Sequence, residues 1–170
     1  MQKKTTPLRR SPQLAPLSRQ HHDGLLFAWK IRQGIAYKVP AERIAKYCSW
    51  YWDNELRPHF VQEERSLAEV LPADDVLLNT MKDDHKVIAN KIEEVIDAPA
   101  YYNLKRLAQI IYYHIRFEER DLFRHVEQAA HEQLTGPGFH LIDETKPAAQ
   151  WTDEFWIKKP KAQLFETSLS

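Results

Sequence analysis

Between residues 78 and 95 one stripe of apolar positions is Leu78, Met81, Ile88, Ile92 and Val95, and His85 completes the series. The separations run 3, 4, 3, 4, 3, the stripe that one face of an α-helix presents to a partner. A second stripe, Leu104, Leu107, Ile111, His114, Glu118 and Leu122, repeats the pattern with two polar members. A half-buried strand would need period two, and no segment sustains it. Stripes of this kind must be buried against one another, which points to packed helices rather than a sheet.

Prolines and turn residues set the boundaries. They predict a first helix over about 17–38, with Ser18 as N-cap and Pro40 as stop. A second spans about 41–71, ended by Pro72 and kinked at Pro58, which lacks an N–H and crowds the preceding turn. A third spans about 74–97, capped by Asp74 or Asp75, and a fourth about 101–134, ended by Thr135-Gly136-Pro137-Gly138. Four long helices on short turns give an all-α, up-down-up-down four-helix bundle over residues 16–135. Residues 1–15 carry Pro7, Pro12 and a basic set (Lys3, Lys4, Arg9, Arg10), and read as a mobile arm. Residues 136–170 form a tail. Phe139 to Ile142 reads as extended or a short strand, and Trp151, Phe155 and Trp156 as one amphipathic turn. Aromatic groups of this size predict docking, on the bundle or on a second copy in a homodimer. No repeat of fixed period is visible.

Composition removes several function classes. Lys+Arg and Asp+Glu both number 24, so no basic nucleic-acid footprint is expected. No run reaches 18 apolar residues, so no membrane span is expected. Met1 to Arg10 is basic without an apolar core, unlike a secretory signal, and the lone Cys48 fits a reducing, cytoplasmic setting. The four glycines, Gly24, Gly34, Gly136 and Gly138, cannot build a phosphate-cradling loop.

The eight histidines carry the chemistry. His59 to Glu63 and His114 to Glu118 are both His-x-x-x-Glu, which puts imidazole and carboxylate on one helical face, one turn apart. Two such helices facing each other bring two His and two Glu to one cavity. A histidine of the first helix and His85 of the third make four His and two carboxylates. Six ligands exceed a closed zinc site, which takes four. They suit a dinuclear centre, with ions on the order of 3.5–4 Å apart, carboxylates bridging and positions left open. Mixed imidazole and carboxylate ligation favours iron, then manganese or zinc. Ferritin-like dimetal bundles use Glu-x-x-His instead, the reverse order.

On these residues the chain resembles the hemerythrin-like family, also called the HHE cation-binding domain. HHDGLL resembles the family's H-x-x-L start, HFVQEE its second-helix motif, DDHKVI its third and HIRFEE its fourth. The resemblance covers about residues 17–130 and implies the metal ligands His22, His59, Glu63, His85, His114 and Glu118, with His21 and Glu119 as alternatives. Two departures stand out. Oxygen-carrying members have a further His four residues before the one matching His85, where this chain has Met81. They also take the fourth-helix carboxylate five residues after the His, the position of Glu119. The resemblance thus implies two non-haem iron ions and binding, sensing or reaction with dioxygen, nitric oxide or peroxide, rather than simple oxygen carriage. Iron storage or delivery, and a metal-independent interaction module, are the rivals.

The other polar residues read more plainly. His125 lies three turns beyond His114, about 16 Å along the axis, too far to join the same centre. His131 and His140 read as surface, Cys48 as a packing residue and Tyr51, Trp52, Tyr112 and Tyr113 as packing. Glu55 reads as exposed or as a partner to His59. Glu64 and Glu119 read as parts of solvated charge clusters with Arg65 and Arg120.

Overall fold

A computed structural model describes residues 10–141 and 150–158. Helix α1 is Ala15–Ala36, α2 is Ala41–Tyr51 and α3 is Arg57–Ala68, with a π-helical turn, Trp52–Leu56, joining α2 to α3. Helix α4 is Val76–Asp97 and α5 is Tyr101–Phe117. A second π turn, Glu118–Leu122, leads into α6 (Phe123–Ala129), and α7 (His131–Thr135) follows. The four rods, α1, α2–α3, α4 and α5–α6, form the expected all-helical bundle. Helix α5 lies between α1 and α4, and α4 packs on α2 and α3. Among the described residues there is no strand, and no helix is long and apolar enough to cross a membrane.

The boundaries follow local chemistry. Asp75 caps α4, its Oδ1 accepting from the Leu77 and Leu78 N–H groups at 3.0 Å each. At the end of α1, Val39 N donates to Gly34 O and Lys38 N to Ile35 O, with Lys38 at φ 56°. This is the double-bonded left-handed stop that glycine usually occupies. Pro40 then opens α2.

Two expectations need correction. Ser18 is not a cap. Helix α1 starts earlier, with Pro16 in its first turn where a missing N–H costs nothing, and Ser18 lies inside it. Pro58 does not act through a simple kink. The π turn ends just before it, with Arg57 N donating five residues back to Trp52 O, and this wider register accommodates the proline.

Apolar side chains form two core clusters. On each rod a buried polar layer separates them. In α1, Leu14 and Leu17 lie on one side of His21, with Phe27 and Ile31 on the other. Leu56 and Leu67 flank His59 and Glu63, Met81 and Ile88 flank His85, and Ile111 and Leu122 flank His114 and Glu118.

The described parts of the tail dock on the bundle. The Phe155 ring lies against Gly34, where an added Cβ would stand 2.8 Å from it. Arg43 Nε donates to Asp153 at 2.7 Å, and Lys30 Nζ sits 4.0 Å from the Trp156 ring centre. Phe139 joins the second cluster, while Ile142 lies outside the described residues. The arm expected over 1–15 is described only from Arg10, and that part is held against α5–α6: Ser11 N donates to Glu127 at 2.8 Å.

Candidate metal centre

Six polar side chains converge in the middle of the bundle: His21, His59, Glu63, His85, His114 and Glu118, all at most 8% exposed. They form two overlapping groups, His21, His59, Glu63, Glu118 and Glu63, His85, His114, Glu118. Within each group one ligand-type atom per residue lies within 4.8 Å of the others. Both carboxylates belong to both groups.

Glu118 divides its oxygens between them. Oε2 is 3.1 Å from His21 Nε2, and Oε1 is 2.9 Å from His114 Nε2 and 3.5 Å from His85 Nε2. Glu63 Oε1 is 3.6 Å from His21 Nε2, and its Oε2 is 3.6 Å from His59 Nε2 and 3.5 Å from His85 Nε2. Even at the shorter distances the hydrogen-bond angles are poor. Both oxygens of each glutamate, with Nε2 of His21, His85 and His114, have no hydrogen-bond partner. Buried polar atoms left this way are costly, and here they face a common centre.

The outer nitrogens are all engaged. Nδ1 of His21 meets Glu119 Oε1 at 2.7 Å, and Nδ1 of His59 meets Gln20 Oε1 at 2.6 Å. Nδ1 of His85 meets Glu64 Oε1 at 2.7 Å, and Nδ1 of His114 meets Asp84 Oδ2 at 3.3 Å. An acceptor behind Nδ1 holds a proton there, so that a ring which gives up its inner proton turns an Nε2 lone pair inward, the arrangement that prepares a histidine to bind a metal.

The four pairs obey an approximate twofold relation. Gln20 and His21 of α1 correspond to Asp84 and His85 of α4, 64 residues on. His59, Glu63 and Glu64 correspond to His114, Glu118 and Glu119, 55 residues on.

Charge in the cluster is balanced by protons. Burial works against the His21 cation, but the Glu118 charge, with Glu119 and Glu63, lifts its pKa well above the usual value. Burial likewise opposes His85, and Glu118, Glu63 and Glu64 raise it to about 11. His114 is raised too, against burial, by Glu118 and Asp84. Burial alone would raise the Glu118 pKa, yet the His114 and His21 charges pull it well down. His59 moves oppositely, to about 4: burial dominates, Glu63 and Glu118 only partly offset it, and its outer partner Gln20 is neutral. A cation entering here would take over the role of these protons.

The structure places His21, the alternative, where His22 was expected. His22 is exposed, while His21 is 3% exposed and turned into the cluster. The other five expected residues lie together, with Glu118 inside and Glu119 one position behind. Glu119 and Glu64, read as surface charges, instead hold His21 and His85. Gln20, rather than Glu55, backs His59. His125 meets Asp75 at 2.7 Å, and Met81 is core.

A family model for the hemerythrin HHE cation-binding domain matches residues 14–126, about two thirds of the chain. The chain belongs to this family. No curated protein and no solved structure matches it. The hemerythrin domain as matched spans all six inward side chains and the four residues behind the histidines, while the docked tail lies beyond it. The donor set fits the cations such a domain binds: four imidazole nitrogens, two carboxylates and no thiolate.

Proposed function

We propose that this hemerythrin-like protein holds a non-haem pair of iron ions and binds, senses or reacts with a small ligand such as dioxygen, nitric oxide or peroxide. The observation that carries the reading is the sharing of Glu63 and Glu118 between two groups, each completed by two histidines. One closed mononuclear site has no use for two such halves. Bound there, the iron pair would supply redox chemistry and open coordination positions.

The chain's own residues do the rest. Gln20, Glu64, Asp84 and Glu119 fix the four rings, so the ligands need little rearrangement. A small cavity of about 10 Å³, room for one water-sized molecule, lies beside His21, His59, His114 and Glu118. Gly24, Leu56, Phe60, Ile88, Ile111 and Ile115 line its other side. An apolar wall of this kind admits a small neutral molecule and disfavours a charged one. Phe60, stacked on the His85 ring at 3.7 Å between centroids, and Phe123, stacked on His21 at 5.1 Å, keep water from the imidazole faces. Fully buried Cys48 has its thiol pKa pushed up by burial, so it is an unreactive packing residue. A reducing, cytoplasmic setting and a homodimer remain part of the proposal.

The test is metal analysis of protein made in iron-supplemented medium, with spectra before and after air and azide. About two irons per chain and an azide-sensitive near-ultraviolet band are expected. Iron that exchanges freely and never answers to azide would instead indicate storage. No stoichiometric transition metal after loading would overturn the metal reading.

A further inference from the structure

Ahead of α1, the Arg10 side chain reaches the groups that back the centre. Arg10, 10% exposed at its side chain, lies between two carboxylates: Nη2 donates to Glu119 Oε2 at 2.8 Å and Nη1 to Glu127 Oε2 at 3.1 Å. The same Nη2 donates to the Glu119 backbone oxygen at 2.6 Å. Its guanidinium carbon is 5.1 Å from the centre of the Phe123 ring. Glu119 and Phe123 are the two groups that fix the His21 ring, one hydrogen-bonded to Nδ1 and the other stacked nearly parallel at 16°.

The π turn explains why Arg10 is needed there. Phe123 N donates five residues back, to Glu118 O. Return to four-residue spacing at the next N–H passes over one carbonyl, that of Glu119. Arg10 occupies this carbonyl and the carboxylate of the same residue. Glu119 Oε1 then serves Ser18 Oγ at 2.7 Å and His21 Nδ1 at 2.7 Å. Among the described residues no corresponding cation stands behind Glu64, whose side chain is 38% exposed against 26% for Glu119.

We propose that Arg10 is a positioning residue for His21, so that docking of the segment before α1 sets metal affinity in the half of the centre formed by His21 and His59. The inference rests on the metal reading above. Without Arg10, Glu119 loses its anchor and Phe123 its cover, and the His21 ring can turn from the centre. His85 and His114 keep their own supports.

The experiment loads the full chain with cobalt(II) after chelation and follows binding by visible spectra, metal analysis and competition with a chelator. Wild type, Arg10→Ala, His21→Ala and the double variant are compared. Partners that orient a metal-bound histidine are typically worth about 10–100-fold in affinity. Arg10→Ala should therefore weaken one of two cobalt ions by about tenfold or more and spare the other. The double variant should bind no worse than His21→Ala alone, the non-additivity expected of one pathway. Two ions bound by Arg10→Ala as by wild type would overturn the proposal, as would losses that add in the double variant. Cobalt refused by wild type itself would overturn the metal reading instead. If circular dichroism shows Arg10→Ala unfolded, Glu127→Gln, which frees the other end of the anchor, is read by the same criteria.

Discussion

Replacing Glu63 with Met separates a carboxylate kept for metal from one kept for the fold. Glu63 is 0% exposed, and both its oxygens lack a hydrogen-bond partner. An unsatisfied buried polar group costs about 1–3 kcal/mol. Exchanging a buried ionic group for an apolar one of similar volume often stabilises, by about 1–4 kcal/mol. Burial and the Glu118 charge work against the Glu63 charge, but His59, His21 and His85 outweigh both and hold its carboxyl below the usual value. With Glu63 gone, His21 and His85 can become neutral instead of remaining as unpaired cations, while His59 is neutral already. Metal-free Glu63→Met should therefore be more stable than metal-free wild type, by about 1–3 kcal/mol. At about 2–4 °C per kcal/mol for a chain this size, the melting temperature should rise by several degrees. Saturating metal should reverse the order. A metal present at about 1,000 times its dissociation constant adds about 4 kcal/mol to wild type, and the variant lacks a shared ligand. The assay is urea and thermal unfolding at pH 7.5, with chelator and with anaerobic iron(II). A metal-free variant about 3 kcal/mol less stable than wild type would refute the reasoning, because Glu63 would then be an ion-pair partner the bundle needs without metal.

Four further outcomes follow from particular contacts. His21→Ala should lower metal affinity by more than about 100-fold, whereas His22→Ala, at an exposed position, should leave stoichiometry unchanged and stability within about 0.5 kcal/mol; metal competition on both variants decides it. Gly24→Ala puts a Cβ 2.8 Å from Ile115 Cδ1 and pushes that flexible end toward the cavity, so nitric oxide should bind the iron-loaded variant several-fold more slowly at unchanged metal content; equal stopped-flow rates would count against the cavity as the entry point. Gly34→Ala meets both Phe155 and Ile44 within 2.9 Å, so the tail should lift and tryptophan fluorescence shift to longer wavelength, despite a gain in helix propensity of about 1 kcal/mol. Asp75 has its carboxyl pKa lowered: burial opposes this, but the Leu78 and Leu77 N–H groups and His125 outweigh it. A depressed folded pKa gives stability that is full above the unfolded value of about 3.9 and is lost as pH falls through the folded one; the difference in urea midpoint between wild type and Asp75→Asn should thus be constant from pH 7 to about 5 and change below that.

Which parts of this arrangement could be read from the chain depends on how local their causes are. Helix seams are local, so the four rods and five of the six inward side chains follow from 3-4 spacing. The π turns are not. Trp52–Leu56 and Glu118–Leu122 exist because one extra residue lets Pro58 fit and sets Glu118 and Glu119 to different tasks, and nothing in a 3.6-residue pattern marks them. The internal twofold escaped for a related reason. Its two helix pairs are offset by 64 and by 55 residues, so no single period reveals it. The acceptors behind the histidines were hidden by their chemistry. Glu64 and Glu119 look like solvated charges until a ring from another helix is found against them.

His21 shows what would have sufficed. The buried positions of α1 include Leu17, His21, Gly24, Ala28 and Ile31, spaced 4, 3, 4, 3. His22 is one residue, about 100° of rotation, off that stripe. The H-x-x-L spacing led to His22 because Leu25 follows it at the expected distance. In the structure the inward position three residues after His21 is Gly24, and Ile115 from α5 fills the space that a larger side chain would take. A motif matches residue types in order, whereas a seam fixes the direction in which a side chain leaves the helix. Where the two disagree by one residue, burial decides, because an exposed imidazole cannot reach a centre enclosed by four helices.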